Sequence, residues 1–266
     1  MTPIRLGAVG YLNARPLVFG LDRSPCFVVR QDVPSECARL LHEGEIDVGL
    51  IPSVEYLRGE RNYSIVPDLA IASRGPVASV ALYTRMEPRD IRSIAMDAGS
   101  RTSVALAMVL ARRAFGVVPE TVVMPPDVET MLARADAALI IGDNALLFDH
   151  EAADAAKIDL GELWTRSTGL PFVYAFWAGP RDVVTPAAAG ALRHARDAGV
   201  ANIDAIAREY FGDVERQTLA VRYLRDNIRY ALGPEEVAGL CTFYRYAAEA
   251  GLVTVDGALS FYHASR

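Results

Sequence analysis

From Ile4 to Ala178 the chain alternates short β-branched runs with amphipathic helical stretches, and no Gly- or Ser-rich linker interrupts it. That alternation is the mark of α/β units built around mostly parallel sheets. Strands are expected over 4–9, 27–33, 46–51, 65–71, 77–83, 94–96, 121–124, 137–141 and 172–178. Beyond Pro186 the pattern turns almost wholly helical. A chain of 266 residues lies where one hydrophobic core tends to split into two. Two lobes without a linker imply that the chain crosses between them on extended strands, outward over 77–85 and back over 172–179. The expected division is residues 1–82 plus 177–266 for lobe one and 83–176 for lobe two. The fold class is therefore α/β, a two-lobed hinged clamshell with a mostly helical C-terminal part. A small ligand would sit in the cleft between the lobes.

Charge and composition narrow the function classes. With 27 Lys and Arg against 33 Asp and Glu the net charge is −6, so no broad basic surface for nucleic acid is expected. No apolar run approaches the ~20 residues that span a bilayer, and residues 1–5 lead straight into a strand rather than an export signal. No membrane partner and a cytoplasmic location follow as expectations. Cys26, Cys37 and Cys241 lack metal-ligand spacing and read as buried thiols of a reducing compartment. His42, His150, His194 and His263 show no paired ligand spacing, so no metal is expected. A nucleophile elbow, a phosphate loop and a dinucleotide fingerprint are all missing.

In open α/β sheets the ligand lies beyond the carboxyl ends of strands, and small polar residues gather at those junctions here. The first strand leads to Gly10-Tyr11-Leu12-Asn13 and the third to Pro52-Ser53. Ser73-Arg74-Gly75-Pro76 precedes the outward crossing, which carries Ser79. The second series supplies Gly99-Ser100-Arg101-Thr102-Ser103 and Gly142-Asp143-Asn144. A Gly turn that opens a helix leaves free N–H groups, and the helix dipole with Ser and Thr hydroxyls favours an anion. The same residues also serve as an ordinary N-cap. Asn13 and Asp143 carry the same two readings, cap or ligand contact. Arg74 is either a carboxylate partner or a surface ion pair, and Glu55 reads as a structural carboxylate. The aromatic stretch of Trp164, Phe172, Tyr174, Phe176 and Trp177 reads as core. By themselves these residues stop at a two-lobed binder of a small anion, enzyme or not.

Taken together the junctions do more. Gly10-Tyr11-Leu12-Asn13 with Arg15-Pro16-Leu17, residues 47–56, residues 71–80, residues 97–104, residues 138–145 and residues 159–173 follow one another as a linked set. The set resembles the chorismate dehydratase family of the futalosine route to menaquinone, from residue 4 to about 250. The resemblance implies a fold like the type II periplasmic binding proteins. It also implies a lyase that takes chorismate, a dianion, to 3-[(1-carboxyvinyl)oxy]benzoate by loss of water, with no cofactor. On that basis Asn13 and Ser79 are the candidate catalytic residues. Ser53, Ser73, Arg74, Ser100, Arg101, Thr102, Ser103, Gly142 and Asp143 are the candidate substrate contacts. The proton acceptor is then the substrate's own enolpyruvyl carboxylate, with Asp143 or Glu55 as protein alternatives. Two rivals remain open: a sibling enzyme that cyclises a dehypoxanthine futalosine intermediate, for which His150 is the nearest histidine, and a non-catalytic solute-binding protein.

Overall fold

The computed structural model describes residues 2–59, 63–254 and 258–262. Two sheets organise the chain. The first contains β1 (Ile4–Val9), β2 (Phe27–Asp32), β3 (Val48–Pro52), β4 (Tyr63–Ile65), β5 (Ile71–Ser73) and β11 (Phe172–Pro180). The second contains β6 (Val80–Thr84), β7 (Ser93–Asp97), β8 (Glu120–Met124), β9 (Ala137–Ile141) and β10 (Ala156–Asp159). The helices in chain order are α1 (Arg15–Val18), α2 (Pro34–Glu43), α3 (Thr102–Leu110), α4 (Val128–Leu132) and α5 (Gly142–Leu147), followed by α6 (Leu160–Thr168), α7 (Pro186–Ala201), α8 (Ile203–Tyr210), α9 (Val214–Arg222) and α10 (Pro234–Glu249).

In the first sheet the order is β2-β1-β3-β11-β4, with β5 also pairing β11. Strands β1, β2 and β3 run parallel, and β11 runs antiparallel to β3, β4 and β5. The second sheet has the order β10-β6-β9-β7-β8, parallel through β7 and antiparallel at β6. Strands covered on both faces read as continuous apolar runs, which is why β3, β6 and β9 are buried at every position. Strand β8 is an edge and leaves Val122 and Val123 exposed.

The aromatic stretch is core as expected. Trp164, Phe172, Phe176 and Trp177 are fully buried, and Phe172 and Trp164 meet edge to face with Phe243 of α10. Full burial of each such ring is worth roughly 1.5–3 kcal/mol. Helix α10 thus seats against β11.

Strand β6 lies entirely in the second sheet and β11 entirely in the first. Two expectations need correction. Strand β10 and helix α6 were not expected as elements; the first is a short, partly exposed edge with no apolar alternation. Of the three cysteines only Cys37 is buried, its thiol donating to the Ala8 carbonyl, while Cys26 and Cys241 are exposed. Burial pushes the Cys37 thiol up to about 12.

Candidate active site

The carboxyl ends of β1, β3 and β9 converge on one cavity, lined at those ends by Val9, Pro52 and Ile141. Asn13 and Ser79 stand on its wall beside Tyr174 and Ala175 of β11, and Ser100, Arg101, Thr102, Ser103 and Gly142 come from the second sheet's turns. Seven of the expected site residues therefore meet in one place.

Each is positioned by local geometry. Asn13 lies within a 3₁₀ turn, Leu12–Ala14, and caps no helix. Its Oδ1 is buried and has no hydrogen-bond partner. A buried acceptor left unpaired is costly, so this atom is poised for a ligand donor. The α3 N-terminus makes no side-chain cap bond at Arg101, which removes the N-cap reading of the Ser100–Ser103 turn. Thr102 Oγ1 instead accepts from the Val54 N–H at 3.2 Å, tying the start of α3 to the end of β3. Arg101 is exposed at the mouth of the turn. Asp97 shapes this turn from below: its carboxylate accepts from the Gly99 N–H at 2.8 Å and the Ile141 N–H at 3.4 Å. Burial raises its pKa, against the pull of those two N–H groups.

Gly142 opens α5 at φ +63, and a Cβ there would stand 3.0 Å from the Tyr11 ring. Glycine is the residue that adopts this conformation without cost. Tyr11 itself lines the cavity, and burial, with the nearby Asp97 and Asp143 charges, pushes its phenol up to about 12.

Tyr223 was not anticipated and is central. It sits fully buried at the start of a π-helical segment, Tyr223–Asn227, that continues α9. Its hydroxyl donates to Ser79 Oγ at 2.6 Å, which leaves the Ser79 hydroxyl hydrogen free to point at a ligand. Burial raises the Tyr223 pKa. From the same segment Asn227 donates to the Pro76 carbonyl at 2.9 Å. Such π segments recur at functional sites, but from sequence one looks like any helix end.

Four expected residues stay off the cavity wall. Ser53 is fully buried and donates to the Val173 carbonyl at 2.8 Å. Ser73 is fully buried and shares a 3.0 Å hydrogen bond with the Tyr174 hydroxyl, one layer behind the wall. Arg74 is exposed and pairs with Glu235 on α10. Asp143 neither caps α5 nor lines the cavity; it accepts from the Leu12 N–H at 3.2 Å and the Tyr210 hydroxyl at 2.5 Å. Glu55 is also elsewhere, held between His42 at 3.2 Å and Arg58 at 2.9 Å. Burial would raise its pKa, but those two partners hold it below the ordinary value.

Among the described residues no group of three or more His, Cys, Asp and Glu is placed to hold a metal ion, and His263 lies outside them. His150 contacts the Ala155 carbonyl at 3.1 Å and does not line the cavity. No helix among the described residues is long and apolar enough to cross a membrane.

Comparison with known proteins accords with this geometry. The chorismate dehydratase of Thermus thermophilus is 31% identical over 259 residues, 91% of this chain and 94% of that protein. A solved structure from Archaeoglobus fulgidus superposes with a TM-score of 0.78 at 19% identity, covering 95% of this chain and 99% of that one. A Candida albicans protein described as having the generic periplasmic binding protein fold gives 0.66 at 10% identity, over 97% and 92% of the two chains. The fold is thus periplasmic-binding-protein-like. A family model described as menaquinone biosynthesis matches residues 4–249, and the chain belongs to that family.

Proposed function

We propose that this chain is a lyase that dehydrates chorismate to 3-[(1-carboxyvinyl)oxy]benzoate in menaquinone biosynthesis by the futalosine pathway. One observation carries the proposal most. Asn13 and Ser79 share a half-enclosed cavity with the Ser100–Ser103 turn, in a chain similar along most of its length to a chorismate dehydratase. The two sheets serve as the cores of two lobes that close on the substrate, with β6 in the second lobe and β11 in the first. The three free thiols suit a reducing compartment, which supports a cytoplasmic location for the enzyme.

The chemistry asks for donors rather than a strong protein base. The ring C–H that departs lies on the carbon bearing the enolpyruvyl ether, vinylogous to the ring carboxylate. Its electron pair moves into the ring and onto that carboxylate, then expels the neighbouring hydroxyl as the ring becomes aromatic. Preorganised donors lower the barrier where the negative charge grows. The Ser79 hydroxyl, with its oxygen already accepting from Tyr223, is one such donor. The Asn13 amide orients the ring or assists the departing hydroxyl. Ser100, Arg101 and Ser103, with the α3 N-terminus, take a carboxylate from the other side. Glu55 and Asp143 are engaged off the cavity wall, which supports the enolpyruvyl carboxylate as the proton acceptor.

Single-turnover dehydration by N13A and S79A tests the site. Losses of about 10²-fold or more in the chemical step are expected, the scale of deleting one oxyanion-type donor. Rates near wild type in both would sink the assignment.

A further inference from the structure

The segment that delivers Ser79 is strained. Ala78 sits at φ +64, a left-handed conformation that a residue with a Cβ avoids. Strain of this kind persists only where the surroundings over-determine it, and edge strand β10 does so. Alternation puts Lys157 and Asp159 on one face of that strand. Asp159 accepts from the Val77 N–H at 3.0 Å through one carboxylate oxygen and from the Ala78 N–H at 2.7 Å through the other. Lys157 Nζ donates to the Ala78 carbonyl at 2.9 Å. Three backbone groups of the bend, the Val77 and Ala78 N–H groups and the Ala78 carbonyl, are thus held by two side chains. On the far side of the bend the Ser79 carbonyl accepts from the Gly142 N–H at 2.8 Å.

The ordinary explanation for a lysine on an edge strand is a solvated charge that discourages pairing with other chains. Lys157 does not fit it. It is half-buried, its ammonium is spent on a backbone carbonyl, and it is the only lysine in the sequence, whose other basic side chains are arginines and histidines. An ammonium is a compact point donor, which a planar guanidinium is not.

We infer that Lys157 and Asp159 are positioning residues, which hold the Val77–Ser79 bend in its strained form and so aim the Ser79 hydroxyl into the cavity. The inference rests on the role proposed above for Ser79. Neither residue touches the substrate, so their loss acts on turnover more than on binding. Substituting Ala78 by glycine, which accepts φ +64 without strain, makes the clamp less necessary.

A double-mutant cycle on the full chain tests this, with K157M and D159N each made in the wild-type and A78G backgrounds. D159N is isosteric and keeps the test open if K157M does not fold. In the wild-type background each is expected to lower kcat about tenfold or more, with KM changed by less than about threefold. In the A78G background the same substitutions are expected to lower kcat by less than about threefold, a coupling that merely lost stability would not produce. Equal losses in both backgrounds, or kcat unchanged by the clamp substitutions, would overturn the inference while wild-type turnover leaves the dehydratase function standing. A folded wild-type chain that does not turn over chorismate would overturn both.

Discussion

Within the site, the residue that decides what Ser79 can do is Tyr223. A serine hydroxyl can donate in several directions, and a phenol donating into its oxygen at 2.6 Å leaves it one useful role, donation to the ligand. Y223F removes that bias without a change of shape. It is expected to lower kcat about tenfold and leave KM within about threefold, as read by steady-state kinetics on chorismate; an unchanged kcat would make Tyr223 a packing residue only. The hydroxyls of Ser53 and Ser73 show why residue type alone misleads. Both were candidate contacts from their place after strands, yet one is spent on the Val173 carbonyl and the other on Tyr174. Sequence places a hydroxyl near a cleft, but which partner it takes depends on strands more than a hundred residues away.

For elements, the legible part of the fold is the part with a period. Strands β1, β3 and β9 read as apolar runs ending in small polar turns, and those turns are where the cavity opens. Strand β10 has no such pattern, because an edge strand carrying Lys157 and Asp159 looks like a loop. The π segment bearing Tyr223 was likewise hidden inside an apparently regular helix over 215–227. The α5 N-terminus gives a direct test of how tightly these elements meet. With Gly142 at φ +63 and a Cβ site 3.0 Å from the Tyr11 ring, G142A must both strain the backbone and displace the ring. A stability loss of about 1–2 kcal/mol or more is expected, measured by denaturant titration, together with a raised KM. A neutral substitution would mean that the α5 turn and Tyr11 relax independently.

Across the whole molecule, the two sheets are joined by contacts around the cavity rim. Thr102 reaches Val54, and Asp143 reaches Leu12 and Tyr210. On the outer side the Arg113 guanidinium lies over the Tyr246 ring and pairs with Glu249. Asp143 makes one of these joints sensitive to pH. Burial raises its carboxyl above the ordinary value of 3.8, opposed by the Tyr210 hydroxyl, the Leu12 N–H and the Arg15 charge. A carboxyl shifted upward favours the folded chain while it is protonated. That contribution is complete below pH 3.8 and is lost as pH climbs through the raised value. The isosteric D143N has no such loss, so its Tm relative to wild type is expected to rise between pH 4 and neutrality. A difference that falls over that range would mean that the ionised carboxylate is net stabilising where it sits.

Everything above turns on whether this cavity removes water from chorismate. The most direct measurement incubates the purified chain with chorismate and follows both by chromatography and mass. Chorismate is expected to be consumed while 3-[(1-carboxyvinyl)oxy]benzoate, lighter by one water, accumulates in equal amount well above the uncatalysed background. Chorismate left unchanged by demonstrably folded protein would contradict it and return the cavity to a small-anion binding site without chemistry.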